Sequence, residues 1–215
     1  MRGVVLVLAS VVARVCGSGV LLILVDGLGP AVLKGKDGLV GFDRLRAEGT
    51  AAHYLLPVFP TMPITNAYSL VTGLRPGESG IIGDVMRDNR SLEAFLGLEQ
   101  ASDRGAGWWG GVHPLWLSSS QRRLSTRLWW PSCQVEYPGW NESAEFLRCE
   151  ESGQLGNPEK LIPQLLRELN REELRLAVLH LPQLGKDARH FGPLSGTANT
   201  ALHSLSTFLY KLLAE

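Results

Sequence analysis

The sequence predicts an α/β fold in which a mostly parallel sheet is flanked by helices. The first observation behind this is the run Val20-Leu21-Leu22-Ile23-Leu24-Val25, six apolar residues that end at Asp26-Gly27. An uninterrupted run of this kind suits a central parallel strand buried on both faces, whereas a half-exposed strand would alternate. The second is that strand-like and helical patterns take turns along the chain, the order that builds a parallel sheet through helical crossovers. The third is supply: 215 residues, 45% of them hydrophobic, are enough for one sizeable core. Basic and acidic residues balance at 21 each, so no net field draws the chain to nucleic acid or to an anionic membrane surface.

The elements follow in order. Arg2 precedes the apolar run of residues 3–13, and small residues surround Cys16, so residues 1–19 read as a targeting segment, with a buried first strand as the alternative. The run is too short to span a bilayer comfortably, and no later stretch approaches a membrane span. Losing this segment would remove Cys16 and leave Cys133 and Cys149. That even pair suits an oxidising compartment as a disulfide worth about 3 kcal/mol; in a reducing compartment the two would be buried thiols. The sequons Asn89-Arg90-Ser91 and Asn141-Glu142-Ser143 also fit a secreted, extracellular glycoprotein.

Residues 20–215 are read as one domain. Asp26 falls at the C-terminal end of its strand, where α/β sheets place their chemistry. A helix is expected over 42–49, stopped by Gly49, followed by a strand over 51–58. Another helix is expected over 66–72, capped by Thr65 or Asn66 and closed by Gly73. The tryptophan-, glycine- and proline-rich region from 105 to 140 reads as loops and short strands that form surface or pocket wall, its tryptophans lining a groove or packing the loops. A helix over 158–169 carries Pro163 early enough to be tolerated, a strand follows over 174–180, and the last helix, 197–213, puts Leu202, Leu205, Leu209, Leu212 and Leu213 on one stripe.

Five ordered segments resemble the nucleotide pyrophosphatase/phosphodiesterase family of the alkaline phosphatase superfamily. Leu24-Val25-Asp26-Gly27 is similar to its first metal-aspartate strand. Phe59-Pro60-Thr61-Met62-Pro63-Ile64-Thr65-Asn66, with Pro76-Gly77-Glu78-Ser79-Gly80-Ile81-Ile82-Gly83 after it, resembles its nucleophile helix and following turn. Trp108-Trp109-Gly110-Gly111 with Pro114-Leu115-Trp116, then Leu128-Trp129-Trp130-Pro131, and finally His190-Phe191-Gly192-Pro193 complete the match. The resemblance implies an alkaline phosphatase-like fold, of which this chain would be an incomplete copy, roughly the N-terminal half. It also implies two zinc ions, a threonine nucleophile at a helix N-terminus, and hydrolysis of phosphodiester or pyrophosphate bonds in nucleotides or lysophospholipids.

The departures fall on the chemistry. Pro63 stands where the family has its nucleophilic threonine, and Asp84 where an asparagine holds a phosphoryl oxygen. Anchored on Phe191-Gly192-Pro193, the next metal aspartate and histidine fall on Gly185 and Arg189. Asp26 is the one ligand in place, with loop capping or weak binding of a lone cation open beside the zinc role. Thr65 is the stand-in nucleophile, with Thr61 behind it, and turn or cap donor is the structural alternative for both. Asp187 and His190 lie off the family register and read as a surface pair. Phe95 aligns with the aromatic that stacks on a base or a lipid chain; ordinary core is its other reading. A degenerate or truncated family member is therefore expected, with a non-catalytic nucleotide- or lipid-binding module as the alternative. An uncovered strand edge and helix face would favour self-association.

Overall fold

The computed structural model of the chain describes residues 4–7, 10–14, 19–90, 94–95, 106–109, 112–130, 146–151, 158–170 and 174–214. Cys16, Cys133, Trp140 and Asn141 lie outside the described residues. The chain forms two compact units, one of residues 1–55 with 154–215 and one of residues 56–153.

The first unit opens with β1 (Val4–Val7) and β2 (Ser10–Arg14), an antiparallel pair, followed by β3 (Val20–Val25). β2 pairs antiparallel with β3. Residues 4–7 and 10–14, from the segment weighed above as targeting segment or strand, thus contribute strand backbone in this structure. Next come α1 (Pro30–Leu33), α2 (Val40–Glu48) and β4 (Thr50–Ala51), the last parallel to β1. The strand expected over 51–58 shrinks to those two residues. The physical reason is that residues 50–54 are exposed and 55–60 at best half-buried, so the segment has no buried face to hold a pleat.

In the second unit, α3 (Pro63–Thr72) leads to α4 (Pro76–Ser79) and a hairpin of β5 (Met86–Arg87) and β6 (Ala94–Phe95). Then come α5 (Leu115–Gln121) and the parallel pair β7 (Thr126–Trp130) and β8 (Leu147–Glu151). Among the described tryptophans of this region, four are core, the packing role rather than the pocket wall. Trp109, Trp116, Trp129 and Trp130 are buried, with Tyr68 edge-on to Trp109 at 5.2 Å and Trp116 tilted against Trp130 at 5.0 Å between ring centres. Large aromatic areas removed from water hold this unit together.

The chain returns to the first unit with α6 (Ile162–Asn170), β9 (Leu176–Leu181), α7 (Gln183–Phe191) and α8 (Gly196–Ala214). β9 pairs parallel with β3 in the register Val20↔Leu176 to Val25↔Leu181. Both strands are buried along nearly their whole length, as the continuous apolar run dictates. The result is the mostly parallel, helix-flanked α/β sheet that the sequence implies. α8 is the long amphipathic helix expected, with Leu202, Leu205, Leu209 and Leu212 buried, and it packs on α2 and α7. Where α2 meets α8 the backbones come close enough for Gly41 N–H to donate to Ser206 Oγ at 3.0 Å.

A Cβ on residue 41 would lie 2.0 Å from the Ser206 carbonyl oxygen and 2.8 Å from Tyr210 N, and neither backbone atom can move alone. Gly41→Ala is therefore expected to destabilise the chain by about 1–3 kcal/mol, as other overpacked sites do, read as a lower urea midpoint with an unchanged slope.

Candidate functional site

The parallel pairing of β3 with β9 sets up the candidate site of the first unit. Leu24 stands opposite His180, and side chains two apart on a strand share a face, so the group that follows β3 at position 26 points to the side His180 occupies. His180 Nε2 donates to Asp26 Oδ1 at 3.1 Å, with the two side chains only 8% and 11% exposed. Asp26 N–H also donates to the Leu181 carbonyl at 3.2 Å, continuing the ladder by one rung. Immediately beyond, Gly27 at φ +77° turns the chain against α7. A Cβ on Gly185 would lie 2.7 Å from Asp26 Cβ, 3.1 Å from Asp26 C and 3.3 Å from Arg189 Nη1.

Sequence reasoning missed His180 and the helix α7. The first was hidden as a single polar residue inside an apolar strand, and the second was obscured by a glycine that reads as a turn signal. Asp187 and His190 are not a pair: Asp187 accepts from Gln183 Nε2 at 2.9 Å, and His190 Nδ1 lies 3.0 Å from the Lys186 carbonyl oxygen, both contacts within α7.

In the second unit, the residues singled out by the sequence lie at the start of α3. The helix begins at Pro63, with Met62 at the N-cap position and no side-chain cap from it. The expectation that Thr65 or Asn66 caps a helix starting at 66 is corrected. Proline has its φ preset and lacks the N–H that a first helical residue cannot use, so the helix starts three residues earlier. Asn66 ties down the approach instead: its Oδ1 accepts from Val58 N–H at 2.9 Å and its Nδ2 donates to the Met62 carbonyl at 2.9 Å. Gly73, at φ 73°, closes the helix as expected. Thr65 is buried at 1% exposure, and its Oγ1 has no hydrogen-bond partner among the described residues, which puts the stand-in nucleophile out of reach of solvent. Thr61 is exposed.

Asp84 fills the place that the resemblance gives to a phosphoryl-holding asparagine. Its Oδ1 accepts from Ile64 N–H in the first turn of α3 at 3.2 Å. A helix N-terminus offers unpaired N–H groups to an anion; here Pro63 withholds one and a carboxylate of the chain itself takes another. Phe95 is fully buried, with its ring 5.7 Å from that of Trp108 and 5.9 Å from that of Trp109. A base could stack on it only if one of those rings moved aside.

The two-zinc centre implied by the family resemblance does not fit the described residues. Zinc takes three or four donors from Cys, His, Asp or Glu. Beside Asp26, however, position 185 has no side chain and no room for one, while position 189 is a cation. No group of three or more such residues able to hold a metal occurs among the described residues.

Comparison with known proteins agrees with the fold. The sequence model described as type I phosphodiesterase/nucleotide pyrophosphatase matches residues 20–215, and the chain belongs to that family. It is 27% identical over 209 residues to venom phosphodiesterase of Naja atra, covering 91% of this chain and 24% of the relative. It is 26% identical to venom phosphodiesterase 1 of Crotalus adamanteus, covering 91% and 23%. Among solved structures, murine ectonucleotide pyrophosphatase/phosphodiesterase 5 superposes with a TM-score of 0.76 at 20% identity, covering 89% of this chain and 50% of that one. An inactive variant of the murine protein, solved in complex with AMP, superposes at 0.78 with coverage of 92% and 52%. The chain thus spans about a quarter of the curated relatives' length and half of the solved ones.

Asp84→Ala removes the acceptor over the first turn of α3 and is expected to cost about 1 kcal/mol, the usual value for a lost helix cap. Asp84→Asn, which keeps an acceptor oxygen, should recover most of that loss in the same urea titration.

Proposed function

We propose that this chain is a nucleotide pyrophosphatase/phosphodiesterase-like protein whose hydrolytic chemistry is impaired. The observation that carries the proposal is the start of α3, where Pro63 occupies the first helical position and offers no nucleophilic atom. Covalent catalysis by this family needs a hydroxyl activated by metal, and neither buried Thr65 nor the surroundings of Asp26 supply the parts. A second reading, a non-catalytic module that binds a nucleotide or a lysophospholipid, draws support from the solved relative holding AMP.

The setting proposed for it is extracellular. Its relatives include venom proteins, and no described helix is long and apolar enough to cross a membrane. Residues 1–19 would serve as the leader. Asn89 is exposed in the turn between β5 and β6, open to glycan transfer, and Asn141 is the second proposed site. A disulfide between Cys133 and Cys149, the latter opposite Leu128 in the register of β8 with β7, is also part of the proposal. Self-association remains part of the proposal, since Leu56, Phe59 and Val85 are largely exposed.

Purified protein given zinc and a chromogenic phosphodiester is expected to show no turnover above the blank, and Pro63→Thr alone should not restore it; turnover that Asp26→Ala abolishes would overturn the assignment. Titrating the same preparation with AMP while following tryptophan fluorescence separates the readings, a flat response removing the nucleotide-binding one. Mass spectrometry of secreted protein without reduction should find a start near residue 20, glycan at Asn89 and no free thiol at Cys133 or Cys149.

A further inference from the structure

We propose that Asp26 serves as a latch between β3 and β9 in place of holding a cation, and that position 185, where a second ligand would stand, is closed to any side chain by backbone contact. The inference rests on the reading of impaired catalysis and takes it further. Three observations at the ends of β3 and β9 carry it.

The first is the fit of the two glycines. A Cβ on Gly27 would lie 2.8 Å from Gly185 Cα and 3.0 Å from Gly185 N, and one on Gly185 would lie 2.7 Å from Asp26 Cβ. Real Cβ atoms do not approach that closely, so the first turn of α7 rests directly on the Asp26-Gly27 peptide. A zinc ion bound to Asp26 would need two or three more protein groups around it, and α7 cannot supply one from position 185, where a Cβ would meet Asp26 Cβ. The second observation is the carboxylate itself, which accepts from His180 at 3.1 Å with both groups about nine-tenths buried. The third is Arg189, whose Nη1 lies 3.3 Å from the point where a residue 185 side chain would begin. A cationic side chain thus lies where a residue 185 side chain would start.

Two consequences follow. Asp26 and His180 depend on each other: removing His180 takes the donor from the buried Asp26 carboxylate and removing Asp26 takes one acceptor from His180, whereas removing both leaves an apolar gap that costs no more. Returning a carboxylate to position 185 cannot rebuild the centre, because its Cβ would first have to push α7 away from β3.

The test is thermal melting of the full chain, with and without zinc chloride, for the wild type, Asp26→Ala, His180→Ala, the double variant and Gly185→Asp. Each single alanine variant is expected to melt several degrees lower, and the double variant no lower than the worse single one. Zinc should leave the wild-type melting temperature unchanged. Gly185→Asp should melt lower with no recovery by zinc, and should it fail to fold, the wild-type zinc arm and the double-variant cycle still decide. A zinc-dependent rise in the wild type that disappears in Asp26→Ala, or strictly additive losses in the double variant, would overturn the latch. Turnover in the phosphodiester assay without any effect of zinc on melting would instead overturn the catalytic reading and leave the latch standing.

Discussion

The close approach of Gly27 and Gly185 governs the functional end of the first unit. The parallel register of β3 with β9 brings Asp26 beside Leu181, and the chain can then leave both strands only because neither glycine carries a Cβ. This contact fixes where α7 starts. α7 in turn packs on α8, and α8 reaches α2 through a second glycine contact, where Gly41 meets Ser206. A line of backbone contacts therefore joins the sheet ends to the helical layer. Close-packed interiors pass such constraints on rather than absorb them.

The same end of the sheet shows how a buried acidic group is satisfied within the chain. A buried carboxylate must find a donor or a counter-charge, and Asp26 finds His180. In the second unit Asp84 finds Ile64 N–H at the helix start. Both positions are ones that the family resemblance gives to cation or phosphate binding, and both now close within the chain. The change from threonine to proline at position 63 is kind to folding, because a first helical residue has no use for its N–H. The same substitution removes the oxygen that the chemistry requires. Helix geometry and nucleophilic chemistry make separate demands on that residue.

Much of the fold was legible because it depends on local pattern. The six-residue apolar run, the stripe of leucines on α8 and the glycine stops of α2 and α3 each follow from burial or backbone preference acting over a few residues. Other features escaped. The strand expected over 51–58 met no buried face. Helix α7 was masked by Gly185, which a sequence reads as a turn and the structure uses as a contact surface. The tryptophans read equally as pocket wall or core, and burial of Trp109, Trp116, Trp129 and Trp130 resolves that only once their neighbours are known.

By itself the sequence determined the parallel α/β class, the family, and the absence of a nucleophilic atom at Pro63, since these rest on residue identity and short-range order. Only the tertiary structure decided that His180 meets Asp26 across 154 residues of chain, that Thr65 is sealed inside the second unit, and that Asp84 faces the start of α3. Those facts depend on which distant backbones come into contact, and such contacts are set by packing of the whole core rather than by any local run of side chains.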